Sequence, residues 1–187
     1  MQTNLRDVAE KFKEKLLKIK VVAFDVDGIL TDGKVWFSGE EMGWNRFTDT
    51  RDGYGLKMLK NFGFKVGIIT GGDSLSVIKR FKENLGLDFV YYGNEDKRES
   101  YKKLLAEGFS QEEILYVGDE FFDVPLMIAS GFSATVPVAS EEVRAKADYV
   151  TSVSGIGSAR EVIDILRYAH GLYPEVLDLD GNVIKFN

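Results

Sequence analysis

Short apolar, β-branched runs alternate with longer segments of helical spacing through the middle of the chain. Strands that are apolar throughout and separated by helices are typical of a parallel sheet covered on both faces, so the sequence predicts an α/β fold. The predicted strands cover residues 20–25, 65–70, 88–92, 114–118, 132–136 and 148–151. The predicted helices cover residues 53–61, 74–85, 97–107, 124–129, 141–146 and 158–170.

Length and composition indicate a globular protein of one domain. The chain has 187 residues, of which 44% are hydrophobic, and a formal net charge of −6. This length predicts a single domain over residues 1–187, since domains usually have about 100–200 residues. The acidic balance argues against nucleic-acid and membrane partners, which attract basic surfaces. No apolar run is long enough for a membrane span or a signal-peptide core, so a cytoplasmic location is expected.

The scarcity of cysteine and histidine narrows the possible chemistry. With no cysteine and a single histidine, His170, the chain has no thiolate metal site, iron–sulfur cluster, disulfide or multi-histidine site. Chemistry therefore falls to carboxylates, hydroxyls, lysines and a hard metal ion, and the chain carries 30 acidic residues for this purpose.

Three segments depart from the alternating pattern. Apolar residues at helical spacing within residues 1–20 predict an amphipathic helix packed on the domain. Residues 34–48 contain two aromatic-rich runs around a polar turn, which predicts a β-hairpin. The tail, residues 173–187, predicts a smaller hairpin. Its acidic segment at 178–182 is interpreted as a plain turn, because the distal glutamate of a calcium loop is absent.

The strongest functional signal follows the first predicted strand. That strand runs directly into Asp25, and Asp27 is followed by Gly28. Residues two apart on an extended chain point the same way, so Asp25 and Asp27 present their carboxylates together. Ligands of a parallel sheet bind beyond the carboxyl ends of its strands, which is where this pair lies. A polar turn is the alternative, but the run of acids and glycines after an apolar strand favours a site.

A second acidic group ends the fourth predicted strand. Asp119 and Glu120 follow Gly118, and Asp123 precedes a helix, where it is also a good N-cap. Carboxylates at neighbouring strand ends repel one another unless a cation lies among them. Mg²⁺, which prefers oxygen ligands, fits such a site.

Thr70 marks a weaker signal at the end of the second predicted strand. It is followed by Gly71 and Gly72, whose backbone amides can hold a phosphate. A helix entry capped by Asp73 or Ser74 is an alternative interpretation, and both can hold together.

Lys97 is predicted to lie in the first turn of a helix capped by Asp96 and Glu99. A cation there interacts unfavourably with the helix dipole, at a cost of up to about 1 kcal/mol, and a neighbouring anion would offset that cost. A solvated lysine is the alternative interpretation.

The order of these groups resembles the motifs of the haloacid dehalogenase-like phosphatases. The matching groups are Asp25-Val26-Asp27-Gly28, Thr70, Lys97 and the Gly-Asp-x-x-x-Asp segment at 118–123. The stretch between Asp25 and Thr70 leaves room for the hairpin but not for a large cap domain. The resemblance implies a Rossmann-like, doubly wound parallel sheet with a hairpin insertion after the first strand and no cap.

Within that group, the chain resembles the capless 3-deoxy-D-manno-octulosonate 8-phosphate phosphatases. The similarity runs from about residue 19 to about residue 166, with its clearest segments at 25–33, 51–55, 147–151 and 155–161. The family needs Mg²⁺ and acts in lipopolysaccharide precursor synthesis. It forms homotetramers whose hairpins meet around a barrel and whose neighbouring subunits complete each active site. The chain departs from the pattern at Gly72, usually arginine, at Glu120, usually aspartate, and at Ile156.

The resemblance also assigns roles to residues. Asp25 attacks phosphorus to form an aspartyl-phosphate, and Asp27 protonates the leaving oxygen and then activates water. The metal is bound by Asp25, the carbonyl of Asp27 and Asp119. The phosphoryl group is held by Thr70, Gly71 and Lys97.

Further residues receive supporting roles. Asp123 is expected to orient Lys97 or a metal-bound water, and Glu120 to act near the metal. Arg51 and Arg160 are candidates for binding the carboxylate of a sugar acid, since arginine suits bidentate pairing. They are equally interpretable as members of surface ion pairs.

Other functions stay open at this point. The nearest alternative substrate is a nine-carbon sugar-acid 9-phosphate. A receiver-type signalling module also combines acids, threonine, lysine and Mg²⁺, but its acid pair is adjacent and its phosphoacceptor lies on a later strand. A non-catalytic binding protein is a further alternative, although the main catalytic positions are all filled.

Overall fold

The computed structural model describes residues 3–186. Its strands are β1 (Val21–Phe24), β2 (Trp36–Phe37), β3 (Trp44–Asn45), β4 (Lys65–Ile69), β5 (Phe89–Tyr91), β6 (Ile114–Val117), β7 (Phe132–Thr135) and β8 (Tyr149–Val150). Six of them form one parallel sheet in the order β5-β4-β1-β6-β7-β8, while β2 and β3 pair separately as an antiparallel hairpin. The α/β class, the six parallel strands and the hairpin are confirmed.

Most of the helices lie between successive strands, whereas the first two precede β1 and the last follows β8. The helices are α1 (Leu5–Lys11), α2 (Lys13–Leu16), α3 (Thr50–Asn61), α4 (Leu75–Val77), α5 (Arg98–Ala106), α6 (Val124–Ala129), α7 (Glu141–Arg144) and α8 (Ser158–Ala169). A π-helical segment, Ile78–Asn84, continues α4, and 3-10 turns cover Gln111–Glu113 and Phe121–Asp123. Within the described part of the chain, no helix is both long enough and apolar enough to cross a lipid bilayer.

The centre of the sheet is also the place where its strand order reverses. All four residues of β1 are buried, and β1 pairs with β4 on one side and β6 on the other. After β1, the chain first forms β4 and β5 on one side of β1 and then returns to form β6 on its other side. Ligand sites of doubly wound sheets lie at such a reversal, beyond the carboxyl ends of the strands. The ends of β1 and β6, where the acidic groups follow, are therefore the expected place for a site.

Two predicted helices differ in detail. The N-terminal helix is divided at Phe12, which leaves helical geometry and packs its ring edge-on against Phe132 at 5.2 Å. Met1 and Gln2, which were included in that prediction, lie outside the described residues. The helix predicted over 74–85 winds mostly as a π-helix, in which Arg80 donates to the carbonyl oxygen of Asp49 at 3.3 Å.

The hairpin at 34–48 pairs its aromatic side chains with one another. The ring centroids of Trp36 and Phe47 lie 4.5 Å apart, and those of Phe37 and Trp44 lie 5.6 Å apart. All four side chains stay at least 37% exposed. The hairpin therefore carries an apolar surface that the described chain leaves open to solvent.

The tail forms a minimal hairpin, as predicted. A single antiparallel bridge joins Leu177 to Val183, and the carboxylate of Asp178 accepts the backbone amides of Asp180 and Asn182. These bonds hold the turn closed, which agrees with its interpretation as a plain turn.

Candidate active site

The carboxylate of Asp25 lies at the end of β1, paired with a buried lysine. The backbone amide of Asp25 donates to the carbonyl oxygen of Val117, which extends the sheet into the site. Nζ of Lys97 lies 2.8 Å from Oδ1 of Asp25 and 2.7 Å from Oδ1 of Asp123, and the lysine side chain is fully buried. The solvated-lysine interpretation is therefore wrong, and the anions that offset the helix dipole are Asp25 and Asp123.

The predicted capping box around Lys97 is not formed. The helix begins at Arg98, and Lys97 occupies the N-cap position without a side-chain cap. Asp96 instead accepts from the backbone amide and the guanidinium of Arg98. The helix thus begins one residue later than the sequence pattern predicts.

Asp123 shapes the loop after β6 rather than capping the following helix. Its Oδ2 accepts the backbone amides of Asp119 and Glu120 at 3.1 and 3.0 Å. Its Oδ1 accepts from Lys97 and from the hydroxyl of Tyr116 at 2.7 and 2.5 Å. Asp123 occupies the N-cap position of α6, as predicted, but its side chain makes no capping bond there. Four donors saturate its carboxylate, which orients the lysine and the acidic loop together.

Asp119 packs against the acidic turn that follows β1. A Cβ added to Gly28 would lie 2.0 Å from Oδ2 of Asp119, and Gly28 has a φ of 83°. Glycine is needed there both for the backbone conformation and for the close approach of the carboxylate. Glu120, which follows, is exposed and turns its carboxylate to the amide of Phe121.

Oxygen ligands for a metal converge at this point. Ligand atoms of Asp25, Asp119 and Asp123 all lie within 4.8 Å of one another. Burial and the neighbouring charge of Asp123 raise the pKa of Asp119 to about 7, although the more distant Lys97 opposes the shift. Burial also raises the pKa of Asp25, against the opposing charge of Lys97. The donor set is all oxygen and short of positive charge, so it fits a hard divalent cation such as Mg²⁺.

Asp27 presents its carboxylate to the same cleft and is paired with an arginine of the hairpin. Nε of Arg46 donates to Oδ1 of Asp27 at 2.7 Å, and Nη2 donates to Oδ2 at 3.1 Å. Arg46 is not among the site residues predicted from the sequence. A single arginine within an aromatic-rich hairpin is ordinarily a solvated residue, so the sequence gives no indication of its contact with Asp27.

Thr70 is buried at the end of β4. Its amide donates to the carbonyl oxygen of Tyr91, and its hydroxyl accepts the amide of Gly72. Gly71 lies against Glu95. Ser74 stands at the helix N-cap position without making a cap, because its hydroxyl is bonded to Arg46 and Ser76. The predicted N-cap position of Ser74 is confirmed, although its side chain makes no capping bond.

These elements enclose an open cleft of about 230 Å³. Seven of its lining residues come from the ends of β1, β4 and β6, and Gly33 begins the segment that leads to the hairpin. The lining consists of Asp25, Asp27, Gly28, Gly33, Thr70, Asp119, Glu120 and Phe122.

The structure does not bring Arg51 or Arg160 to this cleft. The guanidinium of Arg51 is paired with Asp49 at 3.3 Å, and its side chain is 72% exposed. Arg160 is paired with Asp164 at 3.1 Å on α8. Each arginine is thus paired with an acidic residue of its own helix or of the N-cap of that helix. This agrees with the alternative interpretation of both arginines as members of surface ion pairs.

Asp52, beside Arg51, has a structural role that the sequence analysis did not assign. It is 1% exposed, and its carboxylate accepts the backbone amides of Gly157 and Arg160, each at 2.9 Å. Amides at the start of a helix have no partner within the helix. Asp52 therefore caps α8 from α3 and ties these two helices together.

Comparisons with known proteins agree with this fold and site. A profile of haloacid dehalogenase-like hydrolases matches residues 89–163. The chain is 34% identical over 166 residues to the 3-deoxy-D-manno-octulosonate 8-phosphate phosphatase of Yersinia pestis, covering 87% of each chain. It is 35% identical over 165 residues to that of Escherichia coli K12, covering 86% of each.

Solved structures give the same result. One match is the Moraxella catarrhalis 3-deoxy-D-manno-octulosonate 8-phosphate phosphatase, solved in complex with magnesium, phosphate and 3-deoxy-D-manno-octulosonate (KDO). It superposes with a TM-score of 0.79 at 33% identity. The match covers 86% of this chain and 92% of that one. A probable YrbI family phosphatase from Pseudomonas syringae matches with a TM-score of 0.81 at 35% identity, covering 87% and 92% of the two chains.

The fold, the acidic site at the strand reversal and these similarities define a haloacid dehalogenase-like hydrolase. Within that class, the chain belongs to the 3-deoxy-D-manno-octulosonate 8-phosphate phosphatase family.

Proposed function

We propose that this protein is a magnesium-dependent phosphatase that hydrolyses 3-deoxy-D-manno-octulosonate 8-phosphate through an aspartyl-phosphate on Asp25. With this substrate, its pathway is lipopolysaccharide precursor synthesis. The observation that carries the proposal is the placement of Asp25 between the buried Lys97 and the carboxylate of Asp119, at the strand reversal of a chain that belongs to this family. No other carboxylate in the cleft is paired with a buried lysine among the described residues.

In the first step, an oxygen of Asp25 bonds to phosphorus while the bond from phosphorus to the sugar oxygen breaks. The leaving oxygen takes its proton from Asp27, which lines the same cleft. In the second step, water attacks the phosphorus of the aspartyl-phosphate and gives a proton to Asp27, while the bond between phosphorus and the Asp25 oxygen breaks. Inorganic phosphate leaves, and both carboxyl groups return to their starting states.

Lys97 and Thr70 are proposed to hold the phosphoryl oxygens during both steps. Lys97 also balances the charge of Asp25, and Asp123 fixes its position from the other side. Burial and the carboxylate of Asp123 raise the pKa of Tyr116, so its hydroxyl stays protonated and continues to donate to Asp123. This network keeps Lys97 oriented where charge moves during phosphoryl transfer.

The metal would be held by Asp25, Asp119 and the backbone carbonyl of Asp27. Bound there, Mg²⁺ supplies positive charge that lets one anion approach another. Glu120, which is exposed and lines the cleft, is proposed to act on water near the metal rather than as a direct ligand.

The small volume of the cleft is one reason to propose an oligomer. Sites for small ligands usually enclose about 300–1,000 Å³, and this cleft has a volume of about 230 Å³. The volume that one chain encloses is therefore below this range. The exposed aromatic surface of the hairpin fits contact between copies of the chain. We propose a homotetramer in which a neighbouring subunit completes the sugar site.

Phosphate release tests the proposal. The substrates are 3-deoxy-D-manno-octulosonate 8-phosphate, a nine-carbon sugar-acid 9-phosphate and simple sugar phosphates, each with Mg²⁺ and with chelator. Asp25→Asn serves as the inactive variant, and Asp32→Asn, which alters an acid paired with Lys34 at the surface, serves as the matched control. We expect metal-dependent release that favours the eight-carbon acid and is absent only in Asp25→Asn. A preference for the nine-carbon acid would overturn the substrate but not the mechanism, and no release from any ester would overturn both.

A further inference from the structure

Arg46 binds Asp27 through both oxygens of the carboxylate. Its Nε and Nη2 donate to Oδ1 and Oδ2 at 2.7 and 3.1 Å. Two parallel bonds of this kind fix the plane of a carboxylate as well as its position. Among the described residues, the only other side chain bonded to Asp27 is Thr31, whose hydroxyl lies at the long distance of 3.5 Å. The orientation of the Asp27 carboxylate therefore depends mainly on Arg46.

Arg46 is itself firmly held. Its Nη1 donates to the hydroxyl of Ser74 at 2.6 Å and to the carbonyl oxygen of Trp44 at 3.3 Å. The Arg46 side chain is only 5% exposed, whereas Asp27 is 36% exposed. An ordinary surface ion pair has two mobile, hydrated partners and contributes little. Here the guanidinium is enclosed and fixed, and the carboxylate faces the open cleft.

The side chain of Arg46 packs closely against residue 72. A Cβ built on Gly72 would lie 3.1 Å from Nη2 of Arg46 and 3.5 Å from Oδ2 of Asp27. A side chain at residue 72 would require the guanidinium to shift by a few tenths of an ångström. Gly72 and Arg46 are therefore spatially linked.

We propose that Arg46 is a positioning residue that aims the carboxyl group of Asp27 at the leaving oxygen of the substrate: Oδ1 keeps its bond from Nε, while Oδ2, the oxygen with the longer contact, carries the proton that is transferred. The hairpin, which lies outside the parallel sheet, thereby contributes directly to the geometry of the active site. This inference rests on the function proposed above, in which a proton passes from Asp27 to the oxygen released from phosphorus. Without Arg46, Asp27 keeps its chemistry but spends less time in the productive orientation.

The dependence on the leaving group tests this role. Single-turnover rates of phosphoryl transfer are measured with the sugar-acid phosphate and with p-nitrophenyl phosphate. A sugar alkoxide needs a proton to leave, whereas p-nitrophenolate leaves as an anion. We expect Arg46→Gln to slow the first reaction about 10-fold or more and the second less than about 3-fold. Arg46→Lys, which keeps the charge but loses the two-pronged contact, should show the same discrimination in weaker form.

Two controls separate positioning from folding. Lys34→Gln removes another hairpin-segment cation, one that is 82% exposed and paired with Asp32, and should leave both rates unchanged. In an Asp27→Asn background, adding Arg46→Gln should slow the sugar-acid phosphate no further, because the two residues act as a unit. Thermal unfolding of each variant shows whether the fold is intact, and Arg46→Lys provides a variant with the charge retained.

The outcomes are distinct. Equal slowing of both esters by Arg46→Gln, or an undiminished effect in the Asp27→Asn background, would overturn the positioning role while leaving the proposed function in place. Failure of the unaltered protein to release phosphate from either ester would overturn the proposed function and this inference with it.

Discussion

Nζ of Lys97 lies 2.8 Å from the carboxylate of Asp25, and neither side chain is more than 4% exposed. The ammonium group also bonds Asp123 at 2.7 Å and lies 4.5 Å from the ring centroid of Phe122. Burying these charges is unfavourable unless they compensate one another. The same arrangement places a cation beside the proposed nucleophile, so stability and catalysis depend on one lysine.

Replacing Lys97 with methionine tests that dependence. The change leaves two buried carboxylates without their cation, so we expect the free energy of unfolding to fall by about 3–5 kcal/mol near pH 8 and turnover to be lost. Urea unfolding measures the stability. Lys102→Met is the matched control, since Lys102 forms an exposed pair with Glu99 and its loss should change stability by less than about 1 kcal/mol. Equal effects of the two substitutions would contradict the account.

The raised pKa of Asp119, about 7, predicts a pH-dependent response to metal. Without metal, the folded protein keeps a proton that the unfolded chain loses near its ordinary pKa of about 3.9. The free energy of unfolding therefore falls as pH rises from about 4 to about 7. Because Mg²⁺ binds the ionised carboxylates, its stabilising effect should be small at pH 5 and large at pH 8.

Thermal unfolding with and without Mg²⁺ across this pH range provides the measurement. Asp119→Asn should remove most of the metal-induced increase in melting temperature at pH 8. A metal-induced increase of the same size at both pH values, or one that survives in Asp119→Asn, would show that the ion binds elsewhere.

Much of the fold and part of the site could be predicted from local patterns. Apolar strands separated by helices determine the parallel sheet, and the carboxyl ends of such strands share one edge. For this reason Asp25, Asp27 and Asp119 could be placed together without a structure. Lys97 could be placed near them only through a family resemblance, because its own sequence context also suits a solvated residue.

The remaining contacts depend on long-range approach. The amide of Gly157 and the carboxylate of Asp52 are 105 residues apart, and Arg46 reaches Asp27 only because the hairpin folds back over the cleft. No periodicity or spacing specifies such pairs. The capping box predicted at Asp96 does not form either, and Asp96 is bonded to Arg98 instead.

Asp52 provides a prediction about the stability of the protein at a position outside the active-site cleft. Asp52→Ala leaves the amides of Gly157 and Arg160 without an acceptor inside the protein. We expect a loss of about 1–3 kcal/mol in the free energy of unfolding, with activity per folded molecule retained. Chemical denaturation and turnover of the same samples measure both quantities. Unchanged stability would mean that water replaces the cap, which the 1% exposure of Asp52 argues against.

The hairpin aromatics provide a prediction about assembly. Phe37→Ser and Trp44→Ser remove apolar side chains that are 52% and 54% exposed in the single chain. If this surface joins copies of the chain, the double variant should sediment as a smaller species than the unaltered protein. Val138→Ser, which removes a 75% exposed apolar side chain outside the hairpin, should sediment unchanged. A monomeric unaltered protein, or no change in the double variant, would contradict the proposed tetramer.

The central claim is that Asp25 becomes phosphorylated during turnover. p-Nitrophenyl phosphate labelled at its phosphoryl group, whose leaving group needs no proton, is mixed with the Asp27→Asn variant, in which hydrolysis of the intermediate is slowed, and the reaction is stopped in acid. Reduction of the acyl phosphate with borohydride, followed by peptide mass analysis, identifies the modified residue. We predict that the label is carried by Asp25 and is lost in the Asp25→Asn, Asp27→Asn double variant. Turnover without any protein-bound phosphoryl group, or a label on another residue, would contradict the account.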